Sequence, residues 1–128
     1  MQYRNEKHRN EFEDAVRKCD KNKFALLSAL YLLTADSKLW NLSKRFVKKN
    51  NIDFNSICPT NITENGYTLF CCAKDLYLGT RYLSIGDLAD YDIISPRMFH
   101  IICHAMAIRR AGIIVVQEGS KTNDQSNR

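Results

Sequence analysis

Two clusters of residues have the types and spacing to do chemistry. The first lies in "HIICHA", where His100 and His104 stand four residues apart with Cys103 beside them. On a helix that spacing turns two imidazoles to one side, as a pair of metal ligands requires. A zinc protease would carry Glu after the first histidine, and here Ile101 stands in that place. His8 is the only other histidine, and no second ligand pair of suitable spacing exists. The expectation is no metal and no cofactor, with both histidines at the margin of a packed helix.

The second cluster is the set of five cysteines, Cys19, Cys58, Cys71, Cys72 and Cys103. An odd number without paired spacing predicts free thiols in a reducing compartment. A nucleophilic thiol also needs a base and oxyanion-binding backbone, generally glycine-rich. The five glycines are scattered, with neither G-x-S-x-G nor a phosphate-binding loop. The sequence therefore predicts no catalytic residues and a protein that is not an enzyme, with a metal- or thiol-dependent enzyme as a third alternative.

Recognition has a stronger signal. In "KLWNLSKRFVKKN", steps of about 100° per residue place Leu39, Trp40, Leu42, Phe46 and Val47 on one side of a helix. Lys38, Lys44, Arg45, Lys48 and Lys49 fall on the other, with no acidic residue among them. Charge is unevenly spread along the chain as a whole. Residues 1–50 hold 12 Lys and Arg against 6 Asp and Glu, whereas residues 51–110 hold 5 against 6. An acidic partner is drawn to the first half. The expected partner-binding residues are Lys38, Lys44, Arg45, Lys48 and Lys49, with Trp40 as an anchor. The expected partner is another protein, or a protein–nucleic acid complex, with an acidic surface. Direct nucleic-acid binding is a possibility within the same chemistry; no membrane partner is expected.

"SIGDLADYDIISPRMFH" has the outline of a helix-turn-helix, and a DNA-binding regulator using residues 84–110 is the alternative function. Two features oppose it. The turn position that favours a left-handed glycine falls on the β-branched Ile93. Near the second helix start Arg97 is the only basic residue, while Asp87, Asp90 and Asp92 would repel phosphate.

Helical periodicity supplies the elements that hold these residues. Asn5 can cap a first helix carrying His8, Phe12, Ala15, Val16 and Cys19 along one side. Asp20 can cap a second, "KNKFALLSALYLLT", apolar on nearly every side and so central to a bundle. Asp36 or Ser37 caps the third, which carries the basic face to Asn50. Pro59 keeps the following stretch a loop, and "YTLFCCAKDLYL" forms a fourth helix closed by Gly79. Ser84 and Asp87 make a capping box, and Ser95-Pro96 opens a last helix that runs to Arg109-Arg110 and ends at Gly112. "IIVVQ" has strand-forming residues, and the polar "EGSKTNDQSNR" reads as a frayed tail. The predicted fold is all-α: a compact bundle of five to six helices with a short extended segment and a disordered polar tail. Residues 1–112 make one helical domain, and 113–128 the extension. No apolar run reaches the ~20 residues of a membrane span, and the polar N-terminus has no signal-peptide core, so the expected location is cytoplasmic.

The order of "EKHRNEF", "FALLSALYLLT", "LFCCAKDLYLG" and a final "AMAIRR" resembles a family of small helical proteins of Firmicutes, their phages and mobile elements. The resemblance spans roughly residues 3 to 112 and rests mostly on apolar positions. The chain departs from it at "DLADYD", where an aromatic residue often follows the leucine, and in its added "IIVVQEGSKTNDQSNR" end. The family has no assigned activity, so the resemblance implies no site residues. It implies a setting: a phage or mobile-element accessory protein that binds and inhibits a larger host complex, such as a defence nuclease. The expected function is accordingly that of a non-enzymatic helical binding protein.

Overall fold

A computed structural model describes residues 2–124, with side chains described through Ile113. Six α-helices dominate: α1 (Glu6–Arg17), α2 (Phe24–Leu33), α3 (Ser37–Ser43), α4 (Glu64–Leu78), α5 (Ile85–Ala89) and α6 (Pro96–Asp124). The fold is a compact, mostly α-helical bundle. Among the described residues, no helix is long and apolar enough to cross a membrane.

The centre is α2. Every residue from Leu26 to Leu33 is buried, so this helix has no outward face. It packs most extensively against α4 and α6, with α1 along another side. Each fully buried leucine contributes about 1.5–3 kcal/mol relative to exposure. The polar residues of this region are satisfied locally: Ser28 Oγ donates to Ala25 O at 2.8 Å and Thr34 Oγ1 to Leu30 O at 2.7 Å.

The helix starts follow their side-chain caps. Asn5 Oδ1 accepts the His8 N–H at 2.8 Å, and Asp36 Oδ1 accepts that of Leu39 at 2.9 Å. Thr63 caps α4, which starts at Glu64, three residues before the expected Tyr67, and Gly79 closes it at φ 78°. The Ser84–Asp87 capping box is complete in both directions.

Three expectations are corrected. Asp20 does not cap α2; that helix begins four residues later, after Lys23, with no side-chain cap. The third helix is short, stopping at Ser43. Its expected second half is a 3-10 turn (Lys44–Phe46) and a β-hairpin, β1 (Val47–Lys48) and β2 (Asn51–Ile52). Val47 pairs with Ile52 and Lys48 with Asn51, antiparallel. Asn50 takes the left-handed conformation at φ 63°, which asparagine tolerates better than most residues. Finally, the backbone at Ile113–Gln117 is helical rather than extended. Strand propensity needs a neighbouring strand to be realised, and the one ladder among the described residues is the small hairpin. Gly112, at φ 83° and ψ 172°, interrupts α6 where the helix was expected to end. Residues 125–128 of the expected tail lie outside the described residues.

Candidate functional site

Because the third helix breaks at Ser43, its cations do not share one helix face. Lys44, Arg45, Lys48 and Lys49, from the 3-10 turn and hairpin, instead form one wall of a cleft of about 600 Å³. Glu11, Asp14 and Ala15 of α1, with Lys18 at its C-cap, form the facing wall, a stripe at helical spacing. Trp40 lies between the walls. It is only 8% exposed, and its Nε1–H donates to Glu11 Oε2 at 2.8 Å, so it is a floor rather than a protruding anchor. Lys38, at the start of α3, is exposed and takes no part in the lining.

Both carboxylates of the cleft are engaged and its cations are not. Asp14 pairs with Arg17, and Glu11 accepts from Trp40. The other ion pairs among the described residues are Arg4–Asp36 and Arg9–Glu13, so none of the five lining cations has an acidic partner. Five positive charges against two negative leave the lining at +3. Arg45 lies over the Phe46 ring at 4.8 Å, which restrains its guanidinium without neutralising it.

The basic wall is held from two sides. Asn50 Nδ2 donates to Asp20 Oδ2 at 2.9 Å and its Oδ1 accepts the Asp20 N–H at 2.8 Å, tying the hairpin tip to the α1–α2 corner. On the other side Tyr77 Oη accepts the Ile52 N–H at 3.2 Å and donates to Asn51 Oδ1 at 2.9 Å, joining the hairpin to α4. Ordering the backbone of this wall therefore belongs to folding rather than to binding. Lys18 was not singled out by the sequence, because only the fold brings the C-terminal end of α1 opposite the hairpin.

A cleft of this size falls in the range of ligand-binding pockets, and its cations can hold anionic groups by charge-assisted hydrogen bonds. Its one thiol is poorly placed to react. Cys19 is buried, which raises its pKa, and Sγ donates to Ala15 O at 3.4 Å. Burial pushes Cys72 up to about 12 and also raises Cys71. None of these three is poised as a thiolate nucleophile.

The histidines are equally quiet. His104 Nδ1 is hydrogen-bonded to His100 O of its own helix at 2.9 Å. Among the described residues no group of three or more His, Cys, Asp or Glu side chains is placed to hold a metal ion. His8, placed by sequence on the packed side of α1, is committed at both ring nitrogens. Nδ1 accepts the Arg4 N–H at 2.9 Å and Nε2 lies 2.8 Å from Tyr31 O, which fixes a neutral ring with its proton on Nε2. In the helix pair at 84–110, α5 is only five residues long.

No protein-family model, curated protein or solved structure matches the chain.

Proposed function

We propose that this protein is a non-enzymatic binding module that takes an acidic segment of a partner protein into the cleft between α1 and the β1–β2 hairpin. The observation that carries the proposal is the set of five cations without acidic partners around the Trp40 floor. Glu11 and Asp14 on the α1 wall favour a peptide over a nucleic-acid backbone. A phosphate chain would set like charges against that wall, whereas a peptide can place apolar or basic side chains there. In the setting implied by the resemblance, a phage or mobile-element accessory protein would act by occupying the acidic surface of a larger host complex, such as a defence nuclease.

The test is fluorescence anisotropy with a labelled 12-residue peptide rich in Asp and Glu, beside a single-stranded DNA of equal charge. Lys44→Glu with Lys48→Glu takes the lining from +3 to −1. Each exposed charge contributes up to about 1 kcal/mol, so losing two such contributions weakens peptide binding by about 30-fold, or 2 kcal/mol. Both positions are exposed, so the melting temperature stays nearly constant. Equal peptide binding by the wild type and the double variant removes the site; tighter binding of the DNA turns the assignment to nucleic acid.

A further inference from the structure

The large hydrophobic side chains left exposed among the described residues all lie between positions 67 and 99, none in the basic first half. Four belong to the corner where α5 turns into α6: Ile85 is 86% exposed, Tyr91 76%, Ile93 55% and Phe99 40%. Tyr91 and Phe99 line a groove of about 250 Å³ together with Leu88, Ala89, Ile94 and Pro96; Ile85 stands at the start of α5 outside that lining, and Ile93 lines a neighbouring hollow with Tyr67. Scattered exposed apolar residues are ordinary on a protein surface; a contiguous set around a groove marks an interaction site.

The charges that alternate in sequence with the groove residues Leu88, Ala89 and Tyr91 are all acidic. They are Asp87 within α5, Asp90 at its C-cap and Asp92 in the turn that follows, and none of them forms an ion pair. Their hydrogen bonds stay local: Asp87 accepts from the Ser84 N–H and Asp90 from the Asp92 N–H. Arg97, the nearest cation in sequence, lines a different hollow with Arg4, His100 and His104. A nucleic acid or an anionic membrane would be repelled here. A segment pairing apolar anchors with lysine or arginine meets both the groove and its acidic rim.

We propose that the α5–α6 corner is a second docking surface, which accepts a basic amphipathic helix of a partner protein. The helix sets leucine-like side chains at i, i+3 and i+4 against Tyr91, Phe99 and Ile85, and its flanking cations reach Asp87, Asp90 and Asp92. This surface is separate from the basic cleft and takes a partner of opposite charge.

The probe is a fluorescein-labelled 15-residue helical peptide of leucine and lysine in that spacing, titrated at two ionic strengths. Replacing Ile85→Ser with Tyr91→Ser is expected to weaken its binding at least 10-fold without lowering the melting temperature, because both side chains are exposed. Asp90→Asn with Asp92→Asn keeps the local acceptors and is expected to weaken binding 3- to 10-fold and flatten the salt dependence. Lys44→Glu with Lys48→Glu, which removes the cleft's charge, leaves binding of this peptide at least as tight as in the wild type. Equal binding by the wild type and the Ile85/Tyr91 variant overturns the proposal. So does sedimentation showing self-association that the same variant abolishes, since a second copy would then be what covers the corner.

Discussion

Acid should loosen this fold through one buried side chain, and the size of the effect follows from its surroundings. His8 is 1% exposed, packed against Tyr31 and Tyr3 with ring centroids 4.7 and 5.2 Å away. Protonating the ring would put a second N–H on Nδ1, opposite the Arg4 N–H it now accepts from. Burial, together with the nearby Arg4 charge, lowers its pKa from 6.5 to about 4, although the bond to Tyr31 O works the other way. Between those values the unfolded chain binds the proton and the folded chain does not. The contribution of His8 to stability is therefore complete above pH 6.5 and is lost as pH falls toward 4. The full loss is about 3 kcal/mol, and by pH 5 about 2 kcal/mol of it is gone. That is a large part of the ~5–15 kcal/mol that holds a domain of this size. Urea denaturation of the wild type and His8→Gln at pH 7.5 and pH 5 isolates this site, because glutamine cannot titrate. The stability gap between the two proteins is expected to shrink by about 2 kcal/mol at the lower pH. A gap independent of pH would refute the reasoning. Should the glutamine variant fail to fold, an NMR titration of His8 in the wild type decides the matter, and a midpoint near 6.5 would be equally fatal.

Two further substitutions probe the backbone that shapes the bundle. Asn50→Ala puts alanine at φ 63° and removes both bonds to Asp20, with an expected cost of about 2 kcal/mol. Asn50→Gly restores the backbone freedom but not the bonds, and urea denaturation should show about half that loss; equal losses would mean that the left-handed turn contributes nothing. At Gly112 a Cβ would stand 2.7 Å from Phe24 Cε1, at φ 83° and ψ 172°, a region open almost only to glycine. Gly112→Ala should cost at least about 2 kcal/mol and lower the melting temperature by roughly 5–10 °C. The cost should be smaller in a Phe24→Leu background, and a neutral or stabilising alanine would show that the helix is not broken there.

What the sequence made legible, and what it hid, divides by the range of the interactions involved. The apolar body of α2, the Asn5 and Ser84 caps and the left-handed Gly79 are decided within a few residues and stand where the local pattern placed them. Asp36 rather than Ser37 caps α3, and only the start of α2 lies later than expected. The cations after Ser43 were assigned to a helix face because a 100° step fits them, but a periodic pattern is necessary for a helix and not sufficient. The helix ends there with partners far away in sequence: Asn50 meets Asp20, and Asn51 and Ile52 meet Tyr77. Ser43 Oγ donates back to Leu39 O at 2.7 Å, a bond that weakens rather than extends a helix. The hairpin thus turns Lys48 and Lys49 toward α1, so these cations line a cleft instead of forming a stripe. Lys18 and the two carboxylates joined them for the same reason, being contributions of an element thirty residues upstream. The acidic α5–α6 corner shows the converse. Its aspartates counted in sequence only against DNA, whereas the exposure of Ile85 and Tyr91 beside them makes the same charges half of a recognition surface. Local physics sets the elements, and long-range contacts decide which charges face one another and which face solvent.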